Sequence, residues 1–339
     1  MTVPTTMLAG RLDVGTHEFA VVEVPTPTAG PGEVLVRVRA AGVCLSDVHL
    51  VEGELRPLLL AGDTVTLGHE VAGTVAVLGE GVTGWVPEQR VLLQAGEDRG
   101  GVVFTRGVDY DGGWAQYAVA RADTLVAVPD DLPLEQACIV PDAVSTPWAA
   151  VTATAGVRPA QPVGVWGVGG LGAHGVQLLR LVGAAPIVAV DPVPEARERA
   201  LAFGADVALD PADDDLVAQV RAATGGVGLA HAFDFAGVAA VREQAVACLG
   251  VGGALTLVGL TKQPLTLRDG TAFSYFGQRV QGHYGSRPEH VQELVDLVRH
   301  HRVDFARSVS ETLPLTDAAD AIERLTHKTG NPIRIVLQP

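Results

Sequence analysis

Two short stretches carry the side chains best suited to chemistry, Gly42-Val43-Cys44-Leu45-Ser46-Asp47-Val48-His49 and Gly68-His69-Glu70. A thiolate and a neutral imidazole suit a borderline-soft divalent cation, which makes Cys44 and His69 candidate zinc ligands. Taken singly, a cysteine is more often an inert buried thiol and a histidine a satisfied core residue. A third stretch, Gly167-Val168-Gly169-Gly170-Leu171-Gly172, shifts that balance. With 40 glycines in 339 residues a G-x-G-x-x-G match alone is weak. This one follows a short apolar run (163–166) and opens an apolar segment of helical period, the setting in which such a turn binds a dinucleotide. Gly167 permits the tight bend, Gly169 the approach of a pyrophosphate, and Gly172 close packing of helix on strand, while Gly170 and Leu171 bring the helix amides to the phosphates. The next apolar run ends at Asp191, where a carboxylate can accept from ribose hydroxyls and repels a 2′-phosphate. NAD is therefore expected over NADP, with Arg197 and Arg199 as nearby counterweights. The alternative is a glycine-rich turn with no ligand.

Two textures surround these residues. Between 33 and 128, short β-rich runs at 34–38, 71–78, 90–93 and 114–119 alternate with Gly, Pro and Asp, as in an all-β, barrel-like domain. From 162 onward, apolar runs at 163–166, 187–190, 230–235 and 254–258 alternate with helical segments near 171–182, 194–203, 213–223 and 238–248. That alternation predicts a parallel sheet with crossover helices. Two further helices and a last strand at 333–337 follow. The expected division is 1–146, completed by 286–339, and 147–285.

Bulk properties exclude other classes. The chain is 47% hydrophobic and 19% charged, which suits a folded globular protein. A formal net charge of −15 and only two lysines, Lys262 and Lys328, leave no basic run for nucleic acid or an anionic membrane. Cys44, Cys138 and Cys248 are odd in number and far apart, so no disulfide framework is expected and a cytoplasmic location is. Neither a signal segment nor an apolar stretch long enough to span a membrane is evident.

With these motifs in place the chain resembles the zinc-dependent medium-chain dehydrogenase/reductase superfamily, similar to alcohol and polyol dehydrogenases, over nearly its whole length. The family's Gly-x-Cys-x-Ser/Thr-Asp-x-His is matched by Gly42, Cys44, Ser46, Asp47 and His49, and its Gly-His-Glu by Gly68, His69 and Glu70. The resemblance implies an α/β protein with a GroES-like β-barrel catalytic domain and a Rossmann doubly wound parallel sheet. It implies that Cys44, His69 and Asp142 bind one catalytic zinc, with Glu70 beside the metal or exchanging onto it. Asp47 would orient a ligand imidazole, and Ser46 and His49 relay the alcohol proton, in the family with help from a cofactor ribose hydroxyl. Asp142 stands where many relatives have Cys; its alternative is a helix N-cap. Thr146 would lie against the nicotinamide and Arg334 on the pyrophosphate, the latter's alternative being a surface charge.

The family's four-cysteine lobe for a structural zinc has no counterpart here, and 94–101 reads as a flexible loop. The substrate pocket is expected to draw on 50–60, Trp114 and Trp148, none of them diagnostic of a particular alcohol or carbonyl compound. A homodimer or homotetramer is implied, pairing through an edge strand at 278–284. Alternatives are a carbonyl reductase working in a biosynthetic direction, a zinc-free enoyl or quinone reductase of the same superfamily, and a non-enzymatic binding protein.

Overall fold

A computed structural model describes residues 2–339, which divide into two compact units, one reaching to Ser145 and resumed by Ser286–Pro339, the other Thr146–Gly285. In the first, the strand Glu33–Val43 is the hub of a seven-stranded sheet. One of its edges pairs with Val71–Leu78 along residues 34–41, while the other is shared between Tyr117–Arg121 at one end and Arg334–Gln338 at the other. Eleven residues are enough for three partners, and two register shifts bend the strand as it passes between them. Val34, Val36, Val38, Ala41 and Val43 bury into the core of this unit. A smaller sheet orders Phe19–Pro25, Thr6–Asp13 and Thr64–Thr66.

The helix Ala318–Thr326 joins the parallel strands Val309–Pro314 and Arg334–Gln338. Its buried residues Ala318, Ala321, Ile322 and Leu325 fall at helical spacing and join the same core. Ile322 and Leu325 each contribute about 1.5–3 kcal/mol by leaving water.

The second unit is a six-stranded parallel sheet in the order Val207–Leu209, Ile187–Val190, Val163–Trp166, Leu229–Asp234, Leu249–Leu257 and Arg279–Gly282. The chain works outward from Val163–Trp166 to one side, then restarts on the other at Leu229–Asp234. The carboxyl ends of those strands therefore border the crevice where such sheets take ligands. All four residues of Val163–Trp166 and of Ile187–Val190 are buried, which explains why these runs lack the alternation of a half-exposed strand. Helices Gly172–Val182, Pro194–Ala202, Leu216–Ala223 and Ala239–Ala247 fall within a few residues of the periodic segments in the sequence.

Three expectations fail. Residues 94–101 are not a loose loop: Gly96–Asp98 pairs with Val103–Thr105, and the fully buried Arg106 bonds Glu97 at 3.2 Å and the Val119 carbonyl at 3.0 Å. Arg99 closes the other side of Glu97 at 3.0 Å and lies over the rings of Phe104 and Tyr110. Ion pairing and ring stacking supply the order that local composition did not suggest. Nor does Trp114 line a pocket: it is fully buried, edge-on to Phe19, and its indole donates to the Gly42 carbonyl at 3.0 Å. The segment around it forms only an isolated bridge, so the strand begins at Tyr117 rather than 114.

Candidate metal centre and dinucleotide turn

Val43 ends the hub strand and Cys44 begins the helix Leu45–Val51. The Cys44 amide donates to the Asp47 carboxylate at 2.9 Å, a first-turn cap that fixes the thiol where strand becomes helix. Four groups converge there. The ligand atoms of Cys44, His69, Glu70 and Asp142 all lie within 4.8 Å of one another. Asp142 Oδ2 is 3.8 Å from the Cys44 sulfur and 3.4 Å from His69 Nε2. A tetrahedral zinc shell of N, O and S donors spaces its ligands roughly 3.3–3.6 Å apart.

The donor set also lacks positive charge. Carboxylates of Asp47, Glu70 and Asp142 and the Cys44 thiol face one guanidinium, Arg334, and Asp47 and Glu70 are fully buried. Three buried polar atoms, His69 Nδ1, Asp47 Oδ1 and Glu70 Oε2, lack a hydrogen-bond partner, and Glu70 Oε1 has only the Arg334 guanidinium beside it. Burial opposes charging the His69 ring, yet Asp47 and Asp142 outweigh it and hold its pKa well above the ordinary value. Burial lifts the Glu70 carboxyl to about 7, with Arg334 pulling the other way. A divalent cation at the donor atoms of Cys44, His69, Glu70 and Asp142 would balance this clustered negative charge, and the residues fit it. His69 turns Nδ1 toward Asp47 at 3.6 Å and Nε2 toward Asp142 and the Ser46 hydroxyl, both at 3.4 Å. Asp47 thereby favours the tautomer that leaves Nε2 free to ligate.

Gly42 explains the glycine of the first motif. A Cβ there would fall 2.0 Å from Glu70 Oε2, so only glycine lets Glu70 enter the cluster. Asp142 sits inside a wide helical turn, Val140–Val144, whose N-cap position is taken by Ile139. Arg334 is no surface charge: it is buried, with Nη2 2.9 Å from Glu70 and 3.6 Å from the Cys44 sulfur. Its tie to Glu70 was not readable from sequence, because residues 264 apart signal nothing to each other locally. His49, one helical turn after Ser46, is partly exposed, with Glu54 3.9 Å away.

In the second unit the glycine turn closes on itself. A Cβ on Gly172 would lie 1.7 Å from the Gly167 carbonyl oxygen, so the helix can start there only on glycine. A Cβ on Gly169 would meet nothing within 4 Å, leaving open space where a phosphate can approach. The Gly170 carbonyl contacts His174 Nδ1 at 2.7 Å, and Leu171 is the N-cap of the helix. Asp191, 8% exposed, accepts the amides of Val168 at 2.7 Å and Val193 at 2.9 Å. It therefore organises the backbone of the turn itself. Arg197 is drawn to Asp210 and the Asp191 carbonyl, and Arg199 to the Val168 carbonyl. Thr146 is buried, its carbonyl accepting from His283 Nε2 at 3.0 Å.

A unit with a cation site and a unit with a dinucleotide turn define a metal-dependent dehydrogenase. The family model of the alcohol dehydrogenase GroES-like domain matches residues 30–130, and that of the zinc-binding dehydrogenase residues 170–300. An alcohol dehydrogenase of Geobacillus stearothermophilus is 32% identical over 337 residues, 94% of this chain and 95% of the relative. The fold matches a zinc-binding dehydrogenase from Sinorhizobium meliloti bound to NADP, with a TM-score of 0.90, 24% identity and coverage of 99% and 100% of the two chains. Acetophenone reductase from Geotrichum candidum in complex with NAD gives 0.87 at 27% identity, covering 100% of this chain and 99% of that one. The chain belongs to the zinc-binding dehydrogenases of the medium-chain dehydrogenase/reductase superfamily, and it combines a GroES-like domain with a Rossmann parallel sheet.

Proposed function

We propose that the protein transfers hydride reversibly between an alcohol and NAD, giving the aldehyde or ketone. The observation that carries this is the four-donor cluster of Cys44, His69, Glu70 and Asp142 in a chain that also holds a dinucleotide turn. Cys44, His69 and Asp142 would hold one zinc per chain, with Glu70 kept as a reserve ligand by its pairing with Arg334. A zinc ion in this set supplies Lewis acidity toward a substrate oxygen. Asp47 holds the His69 ring, Ser46 places a hydroxyl 3.4 Å from that ring to take the alcohol proton, and His49 hands the proton to solvent.

The residues up to Ser145 with 286–339 would carry the catalytic work and Thr146–Gly285 the cofactor. The Asp191 carboxylate, held against Val168, favours NAD over NADP. Thr146 is assigned to the nicotinamide side and Arg334 to the pyrophosphate by resemblance. The strand Arg279–Gly282 ends its sheet, and exposed Tyr275, Tyr284 and Val251 near that edge support pairing with a second copy in a homodimer or homotetramer. Among the described residues no helix is long and apolar enough to cross a membrane, and three free buried thiols suit a reducing cytoplasm.

The test is a panel of primary, secondary and polyhydric alcohols with NAD or NADP, read as reduced nicotinamide absorbance, alongside metal analysis of the same sample. Turnover with near-stoichiometric zinc and a preference for NAD is expected. Metal-free protein turning over at full rate would refute the reading.

A further inference from the structure

The neighbour of the cofactor strand ends on a charge that the mechanism does not use. Leu229–Asp234 runs beside Val163–Trp166 with Asp234 opposite Trp166, and Asp234 is fully buried. Its Oδ1 accepts the amides of Ala236 at 3.0 Å and Gly237 at 2.8 Å. Its Oδ2 accepts Arg242 Nε at 2.7 Å. Arg242 stands in the first turns of the helix Ala239–Ala247, only 5% exposed, and sends Nη2 on to the Gly259 carbonyl at 2.9 Å. Gly259 lies just past the end of the next strand, and its amide and that of Val258 return to the Asp234 carbonyl at 2.7 and 2.9 Å. One ion pair thus fastens the exits of two adjacent strands to each other.

Those exits press on the dinucleotide turn. The Phe235 amide donates to the Trp166 carbonyl at 2.9 Å, and a Cβ on Gly167 would lie 3.0 Å from the Cβ and nitrogen of Ala236. A buried ion pair contributes little net stability, because desolvating both ions offsets their attraction, so fixed geometry is the better account of its presence. The direction of that geometry follows from strand order. Asp191, on the ribose side of adenosine, follows Ile187–Val190 on one flank of Val163–Trp166, while Leu229–Asp234 and Leu249–Leu257 lie on the other. A dinucleotide with its pyrophosphate on the Gly167 turn carries its nicotinamide half over that second flank.

We infer that Asp234 and Arg242 are positioning residues for the nicotinamide half of the cofactor, holding 235–237 and 258–260 as a fixed rim; this rests on the dinucleotide reading above. Arg242→Met keeps the apolar stem and removes the guanidinium. Arg242→Lys keeps a charge but loses the fork that spans Asp234 and Gly259. Titration calorimetry with NADH and, separately, with AMP, which occupies only the adenosine side, separates positioning from general damage.

The expected result for Arg242→Met is NADH binding weakened about tenfold, with AMP changed by less than about twofold, and a smaller NADH loss for Arg242→Lys. Equal weakening of NADH and AMP, or no change in either, overturns the inference. If Arg242→Met does not fold, as judged by circular dichroism, the same comparison on Arg242→Lys and Asp234→Asn decides it. Wild-type protein that binds neither NADH nor AMP would overturn the dinucleotide reading, and this inference with it.

Discussion

Gly42→Ala is a small change with a large expected cost. The backbone at Gly42 is not in the left-handed region, so alanine is compatible with the strand and by itself would be neutral or gain about 0.5–1 kcal/mol. The new methyl, however, would sit 2.0 Å from Glu70 Oε2 and 3.0 Å from Glu70 Cβ. Ordinary carbon–oxygen contact is above 3 Å, so the Glu70 carboxylate must move by about 1 Å or more. It has nowhere to go: Glu70 is fully buried and its partner Arg334 is 2.9 Å away and also buried. Separating a buried pair costs about 3–5 kcal/mol, and partial relaxation brings the expected loss to about 3 kcal/mol. Urea unfolding measures it, in the single variant and in a double-mutant cycle with Glu70→Ala. In the Glu70→Ala background Gly42→Ala should cost much less, because the clashing carboxylate is gone and only the 3.0 Å contact with the residue 70 Cβ remains. A loss below about 0.5 kcal/mol in the wild-type background, or the same loss in both backgrounds, would refute the close-approach account.

Asp142→Ala should lower bound zinc, read by mass spectrometry of the metal, and cut kcat/KM by about 100-fold or more, since one of three strong donors is lost. Asp191→Ala should weaken NAD binding by about tenfold without creating tight NADP binding, because the carboxylate also holds the Val168 and Val193 amides; a full switch to NADP would contradict this. Burial, with Arg279 and Arg158 nearby, lowers the His231 pKa below the ordinary histidine value of 6.5. A depressed histidine leaves the unfolded chain binding more protons, so its contribution to stability is present above that value and declines as pH falls through it. His231→Gln should flatten stability against pH between about 5 and 7 in denaturant titrations, and an unchanged slope would discount the group.

The parallel sheet was legible because fully buried strands such as Val163–Trp166 and Ile187–Val190 read as unbroken apolar runs bounded by turns and helices. Cys44, His69 and the glycine turn stood out because residue types that suit ligand chemistry and phosphate binding sit there at fixed local spacing, and the structure does group Cys44 and His69 with Glu70 and Asp142. What stayed hidden depends on distant pairing. Arg106 reads as a surface charge in a glycine-rich stretch, and only the folded hairpin shows it buried on Glu97. Arg242 reads as the polar side of a helix, although Asp234 eight residues earlier, a charge at the end of an apolar run, was a usable hint. Trp114 gave no sign of whether it faced a pocket or the core, since either environment accepts an indole with a partner for its N–H.

The cluster around Cys44 also has an order of assembly. Cys44, His69 and Glu70 leave the ribosome early, but the Arg334 guanidinium that lies against the thiol and Glu70 is made 290 residues after Cys44. Between them the whole of Thr146–Gly285 must be synthesised, a compact unit with its own sheet and core. The nascent first unit should therefore wait, with its hub strand lacking the partner Arg334–Gln338 and Glu70 lacking its counter-charge, while the second unit can already close. Pulse-labelled chains should show the second unit protected from protease before the first, and the thiol at Cys44 should become shielded from alkylation only when the strand carrying Arg334 has docked.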